Sequence, residues 1–164
     1  MILVGLGSNL ATGQFKSSES LLENAISSLE NKGITVVRRS AWYRSAPVPV
    51  SDQPWFVNGV ISVSTERSPE ALLQNLHAVE NEYGRIRARR NESRTLDLDL
   101  LAYKDHVLEE PSGLVVPHPR IAERAFVLLP LAELAPQWRH PVTGRTASEM
   151  LAELPPGQVV ERIG

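Results

Sequence analysis

The sequence predicts an α+β fold: a ferredoxin-like βαββαβ core with an antiparallel sheet, extended by a C-terminal hairpin and further helices. Three observations predict it. Apolar or alternating runs of strand length recur at 1–7, 34–43, 55–65 and 95–103. Two intervening stretches carry apolar residues at helical spacing and are long enough for crossovers. The resulting order, β-α-β-β-α-β, is that of a split βαβ sheet with its helices on one face.

The first strand, Met1 to Gly7, stops at Ser8-Asn9, which are turn and cap residues. Leu21, Leu22, Ala25, Ile26 and Leu29 give the stripe of a helix over Ser18–Lys32, with Ser20 and Glu23 as a capping box, or Ser17 or Ser18 as the cap, and Gly33 closing it. Ile34–Tyr43 is β-branched and aromatic enough for a strand. Three prolines between Ser45 and Pro54 forbid its continuation and predict a projecting loop. In the strand Trp55–Thr65, Phe56, Asn58, Val60 and Ser62 share one face. Ser68-Pro69-Glu70 starts a second helix, striped by Leu72, Leu73, Leu76, Val79 and Tyr83 and ended by Gly84. After the strand 95–103, Val107–Val116 reads as a hairpin. Ile121–Leu134 reads as a helix kinked or broken at Pro130, and Thr146–Leu154 as a final helix before a tail.

Chemistry concentrates in Arg94-Thr95-Leu96-Asp97-Leu98-Asp99-Leu100-Leu101. On a strand, Leu96, Leu98 and Leu100 enter a core while Asp97 and Asp99 stand side by side, roughly 7 Å apart at a rise of about 3.3 Å per residue. Carboxylates so placed repel unless a cation joins them, and a hard divalent ion such as Mg²⁺ suits oxygen ligands. Five of the 17 Lys and Arg residues lie between Arg85 and Arg94. A metal pair ringed by guanidinium forks suits a polyphosphate. Asn58 can share the polar face, with Phe56 and Phe126 as aromatic walls for a planar heterocycle. Read singly, the two phenylalanines also fit core positions, Asn58 a solvated strand position, and the proline-flanked His118 a surface one.

Composition narrows the field. A chain of 164 residues reads as one domain, 1–164, with an ordinary 42% apolar and 22% charged content. Without cysteine there are no disulfides, thiolate metal sites or cysteine nucleophiles. A net charge of −2 gives no global pull toward nucleic acid or membrane, so neither is an expected partner. Met1–Leu6 lacks a basic lead-in and is short for a signal or a span, so a cytoplasmic location is expected, and a monomer because no segment reads as an interface. Gly5 and Gly7 lack the third glycine of a dinucleotide fingerprint, and no phosphate-binding G-x-x-x-x-G-K-[ST] loop occurs.

The ordered set Gly7-Ser8-Asn9-Leu10, Asp52-Gln53-Pro54-Trp55-Phe56-Val57-Asn58, Arg94–Leu100 and Val116-Pro117-His118-Pro119-Arg120 resembles the 6-hydroxymethyl-7,8-dihydropterin pyrophosphokinase family of folate biosynthesis, from Met1 to about Glu153. That resemblance implies diphosphate transfer from ATP to the pterin hydroxymethyl group, with release of AMP. It implies that Asp97 and Asp99 hold two Mg²⁺ ions and that Asp97 assists deprotonation. Asn58 would read the pterin edge, Phe56 and Phe126 would sandwich its ring, and main-chain groups of Ser45 and Val48 would complete the pocket. His77, Glu80, Leu100, His118 and Arg124 match positions around the nucleotide. Arg85 and Arg87 fall on a loop that closes over the reactants, and Arg94 matches a phosphate contact; Arg85, Arg94 and Asp97 form the catalytic set. This chain has Asn91-Glu92-Ser93 where many members carry Trp-Gly-Pro, Ser45-Ala46-Pro47 for Thr-Pro-Pro, Pro119 for an aromatic, and His77 for a glutamine. Competing readings are a two-metal nucleotidyltransferase or nuclease on the same aspartates and a non-catalytic RNA-binding module, which the 5% aromatic content disfavours.

Overall fold

The computed structural model describes residues 1–9, 18–47, 55–86 and 96–163. Along the chain run β1 (Ile2–Ser8), α1 (Ser18–Asn31), β2 (Thr35–Arg39), β3 (Tyr43–Ser45), β4 (Phe56–Ser64), α2 (Pro69–Ile86), β5 (Asp97–Tyr103), β6 (Leu108–Glu109), β7 (Val115–Val116), a 3₁₀ turn (Ile121–Glu123), α3 (Ala125–Leu134), α4 (Ala147–Ala152) and β8 (Val160–Arg162). The main sheet is ordered β5-β1-β4-β3-β8, with β2 also on β4, and every pairing is antiparallel. The small β6–β7 hairpin stands apart, as the sequence predicts.

The crossover helices cover one face. Leu21, Leu22, Ala25, Ile26 and Leu29 of α1 and Leu72, Leu76 and Val79 of α2 pack on Ile2, Val4, Leu6, Ile61, Val63, Leu98 and Leu100. Gly33 closes α1 at φ 88°, a conformation that suits glycine. Ser20 lies inside α1 and Ser18 is its first residue, while Ser17, the other expected cap, lies outside the described residues. Ser68 caps α2, its Oγ accepting from the Ala71 amide at 3.2 Å. Gly84 does not end α2, which continues to Ile86. Glycine costs only about 1 kcal/mol in a helix that is already propagating.

The opposite face is covered as well, by elements C-terminal to the core. Leu3, Val60, Leu101 and Ala102 pack against Ile121, Val127, Leu128, Leu131 and Leu134, with Ala147 and Met150 of α4 behind. The helix expected over 121–134 is divided at Arg124, whose backbone is extended, and not at Pro130, which lies buried inside α3. Packing of α3 between sheet and α4 outweighs the roughly 3 kcal/mol that an interior proline costs. Thr146 and Glu149 form a capping box that starts α4.

The strand expected over 34–43 is broken in two. At the break the Ser40 amide donates to the Val60 carbonyl at 2.9 Å, and the Ser40 Oγ accepts from the Val60 amide at 3.0 Å. The hydroxyl thus replaces a ladder carbonyl, and the chain is free to lay Trp42 over Gly59. A Cβ on Gly59 would stand 2.5 Å from the Trp42 ring. That ring is held by a bond from its Nε1 to Glu23 at 3.1 Å and by the Arg39 guanidinium 5.6 Å from its centre. Gly59→Ala is therefore expected to lower stability by about 1–3 kcal/mol, read as a shift of the urea midpoint without a change in slope. The tail expected after 154 contributes β8, whose three residues are too few to show a period in the sequence.

Candidate active site

Two glycines make the floor of the site. Gly7 of β1 lies between Asn58 of β4 and Asp97 of β5 in register, and Gly5 lies between Val60 and Asp99. On this face, under α3, β1 projects no side chain between the amide and the carboxylates. A Cβ on Gly7 would meet the Asn58 Oδ1 at 3.0 Å. The result is a cavity of about 790 Å³ whose lining includes Gly5, Gly7, Ser45, Phe56, Asn58, Asp97, Asp99, Arg124 and Phe126. Asp97 and Asn58 stand about 10 Å apart across two strand spacings.

The strand period aims the acids. Leu98 and Leu100 enter the helix-side core, so Asp97 and Asp99 turn to the cavity. Leu101 is an extra residue where the register shifts, since Val4 pairs with Leu100 and Leu3 with Ala102. Its carbonyl accepts from the His118 amide at 2.8 Å, which fixes the proline-flanked histidine beside β5, though it is not among the residues that line the cavity. Burial holds the His118 imidazole below its usual range, with Asp99 pulling the other way and Arg124 and Arg120 adding to the depression. The His118 Nδ1 accepts from the Arg120 amide at 3.1 Å.

At the outer edge of β5 the Glu80 carboxylate accepts from the Leu98 amide at 2.7 Å. Burial raises its pKa, the Leu98 amide opposes that, and Asp97 raises it further. Asn58 is buried, and its Nδ2 donates to the Ser45 Oγ at 2.8 Å. That bond leaves Oδ1 on the Gly7 side of the amide, as an acceptor for a ring edge that offers N–H groups. Tyr43, opposite Asn58 in register, is tied to Glu133 of α3 at 2.6 Å, and burial pushes its hydroxyl up to about 12.

Of the residues picked from sequence, Ser45, Phe56, Asn58, Asp97, Asp99, Arg124 and Phe126 meet at this one cavity. Arg124 sits 5.5 Å over the Phe126 ring. The Leu100 side chain is buried away from it, so only its main chain is available to a nucleotide. His77 is exposed on α2. Arg85 falls in the last turn of α2 and not on a loop, because the helix runs through Gly84. Val48, Arg87 and Arg94 lie outside the described residues. Sequence reasoning missed Arg120, Glu123 and the segment Gln158–Val160, which also line the cavity. It also missed the floor; two glycines at period two in a buried strand were the available signal.

Among the described residues no group of three His, Asp or Glu side chains is arranged to hold a metal ion. Two carboxylates on one strand beside a floor to which β1 adds no side chain nevertheless fit Mg²⁺, which takes most of its shell from water and substrate oxygens. No helix of the described residues is long and apolar enough to cross a membrane.

Compared with known proteins, residues 3–136 match the family model for 7,8-dihydro-6-hydroxymethylpterin-pyrophosphokinase (HPPK). The chain is 44% identical over 154 residues to the 2-amino-4-hydroxy-6-hydroxymethyldihydropteridine pyrophosphokinase of Pseudomonas aeruginosa, covering 94% of this chain and 91% of that one. To the protein of the same name from Synechocystis it is 40% identical over 152 residues, covering 93% of this chain and 75% of that one. In fold it is similar to the crystal structure of Plasmodium falciparum wild-type HPPK-DHPS with pteroate, at a TM-score of 0.72 and 14% identity. The similarity covers 93% of this chain but 44% of that longer one.

Proposed function

The chain belongs to the 7,8-dihydro-6-hydroxymethylpterin-pyrophosphokinase family, and from that premise we propose how its residues carry diphosphate from ATP to the pterin. The hydroxymethyl oxygen attacks the β-phosphorus and the α–β bridging bond breaks. AMP leaves, and the pterin diphosphate remains. Such a transfer asks the protein mainly to position groups and to neutralise charge.

Asn58, its Nδ2 bonded to the Ser45 Oγ, turns Oδ1 to the N–H edge of the pterin, while Phe56 and Phe126 clasp its ring. Main-chain groups of Ser45 and Val48 finish that end. Asp97 and Asp99 would hold two Mg²⁺ ions, which when bound neutralise and align the triphosphate. Asp97 takes up the hydroxymethyl proton. Arg124, Arg85, Arg87 and Arg94 supply guanidinium charge to the phosphates, with His77, Glu80, Leu100 and His118 around the nucleoside. The observation that carries this reading is the row Asp97–Gly7–Asn58, which places an acid and an amide at opposite ends of one open floor.

ATP labelled in the γ position tests it. With pterin and Mg²⁺ the label is expected in the pterin product, with AMP formed one for one. Stoichiometric ADP, or turnover of oligonucleotides without response to pterin, would instead favour an ordinary kinase or a nucleotidyltransferase. Titration with Mg²⁺ after chelation tests the metal: turnover that survives chelation would contradict the assignment of Asp97 and Asp99.

A further inference from the structure

The family match stops at residue 136, yet Gln158, Val159 and Val160 line the cavity. Gly157, at φ 124°, turns the chain into this segment in a conformation that side chains rarely adopt. The segment is fastened on two sides. On one, the Ala46 amide donates to the Val159 carbonyl at 3.1 Å, and Val160 pairs with Ser45 in the sheet. On the other, the Gln158 Nε2 donates to the Glu123 carbonyl at 2.9 Å, and the Ala125 amide donates to the Gln158 Oε1 at 2.9 Å. Those two main-chain groups flank Arg124. Arg124 holds the N-cap position of α3 but gives it no side-chain cap, so the Gln158 amide, from 33 residues away, satisfies the first amide of that helix.

We propose that Gln158 is a positioning residue for the transfer. Its amide clips the chain on both sides of Arg124, so that Arg124 and Phe126 are presented to the substrates in a register fixed by β3 and β8. The ends of the cavity are thereby built as one piece, with Ser45 and Phe56 on the sheet side and Arg124 and Phe126 on the helix side. This rests on the roles given above to Arg124 and Phe126.

Two full-length variants test it, with KM for pterin and for ATP, kcat, and the urea midpoint measured on each. Gln158→Leu removes both bonds. Losing a hydrogen bond that orients a contact is worth about tenfold, so both KM values are expected to rise roughly tenfold while kcat stays within about threefold. Gln158→Glu keeps the acceptor for Ala125 and loses the donor to Glu123, so its KM values are expected between those of wild type and Gln158→Leu. A lowered urea midpoint with both KM values unchanged would show a merely structural clip and overturn the proposal. Should Gln158→Leu fail to fold, unchanged KM values in Gln158→Glu would overturn it equally. A wild-type chain that releases no AMP with pterin defeats the reading of the site itself; wild-type AMP release with unaltered variant KM values defeats only the role of Gln158.

Discussion

Asp97→Ala and Asp99→Ala are each expected to lower kcat by roughly 10³-fold or more, in line with removal of a group that stabilises transition-state charge. Both side chains face the cavity and only half enter the protein, so cooperative urea unfolding should survive in each variant. The pterin is expected to bind either variant nearly as well as wild type, because Asn58 and Phe56 lie on β4, two strands away from the acids. Equilibrium titration with pterin in the absence of ATP separates the two effects. Near wild-type turnover in either variant would remove the carboxylate pair from the mechanism. Loss of pterin binding in step with turnover would show instead that the acids shape the ring pocket.

Gly7→Val is expected to raise the pterin KM at least about tenfold and to lower stability by about 1–3 kcal/mol through the strain at Asn58. A Cβ here already lies 3.0 Å from the Asn58 Oδ1, and Asn58 cannot yield freely while Ser45 holds its amide nitrogen at 2.8 Å. The two methyl groups of valine would occupy the floor between Asn58 and Asp97. Valine also suits a strand, so the backbone gives little reason for global loss. A variant with unaltered pterin KM would show that the ring does not lie across Gly7.

The periodic parts of this chain were legible. The stripes of α1 and α2 and the alternation in 95–103 reported both the elements and the faces they bury, since an amphipathic period records which side meets the core. Parity pairs Phe56 with Asn58 on one strand and Asp97 with Asp99 on another; that the two pairs can share a face is an expectation parity alone does not decide, and all four line one cavity. Other features left no periodic trace. Ser40 breaks a strand by lending its hydroxyl to the ladder, and no propensity of serine announces that. Pro130 looked like a breaker but sits where tertiary packing overrides its cost. Gln158 acts through contacts formed by a segment 33 residues away, and β8 is short. Gly5 and Gly7 do not complete a dinucleotide fingerprint. Their use lies in what they omit, visible only once the neighbouring strands are known.

The additional residue in β5 has an outcome for how this strand can vary. Because Leu101 is accommodated without a partner on β1, the direction faced by the acidic half is independent of the direction faced by Ala102 and Tyr103. Losing one residue there would invert one half relative to the other, whereas compensated changes on either flank would leave the opposite half untouched. The strand is in effect two short rulers joined by a slip joint, one graduated for the carboxylates that face the cavity and the other for anchoring the sheet.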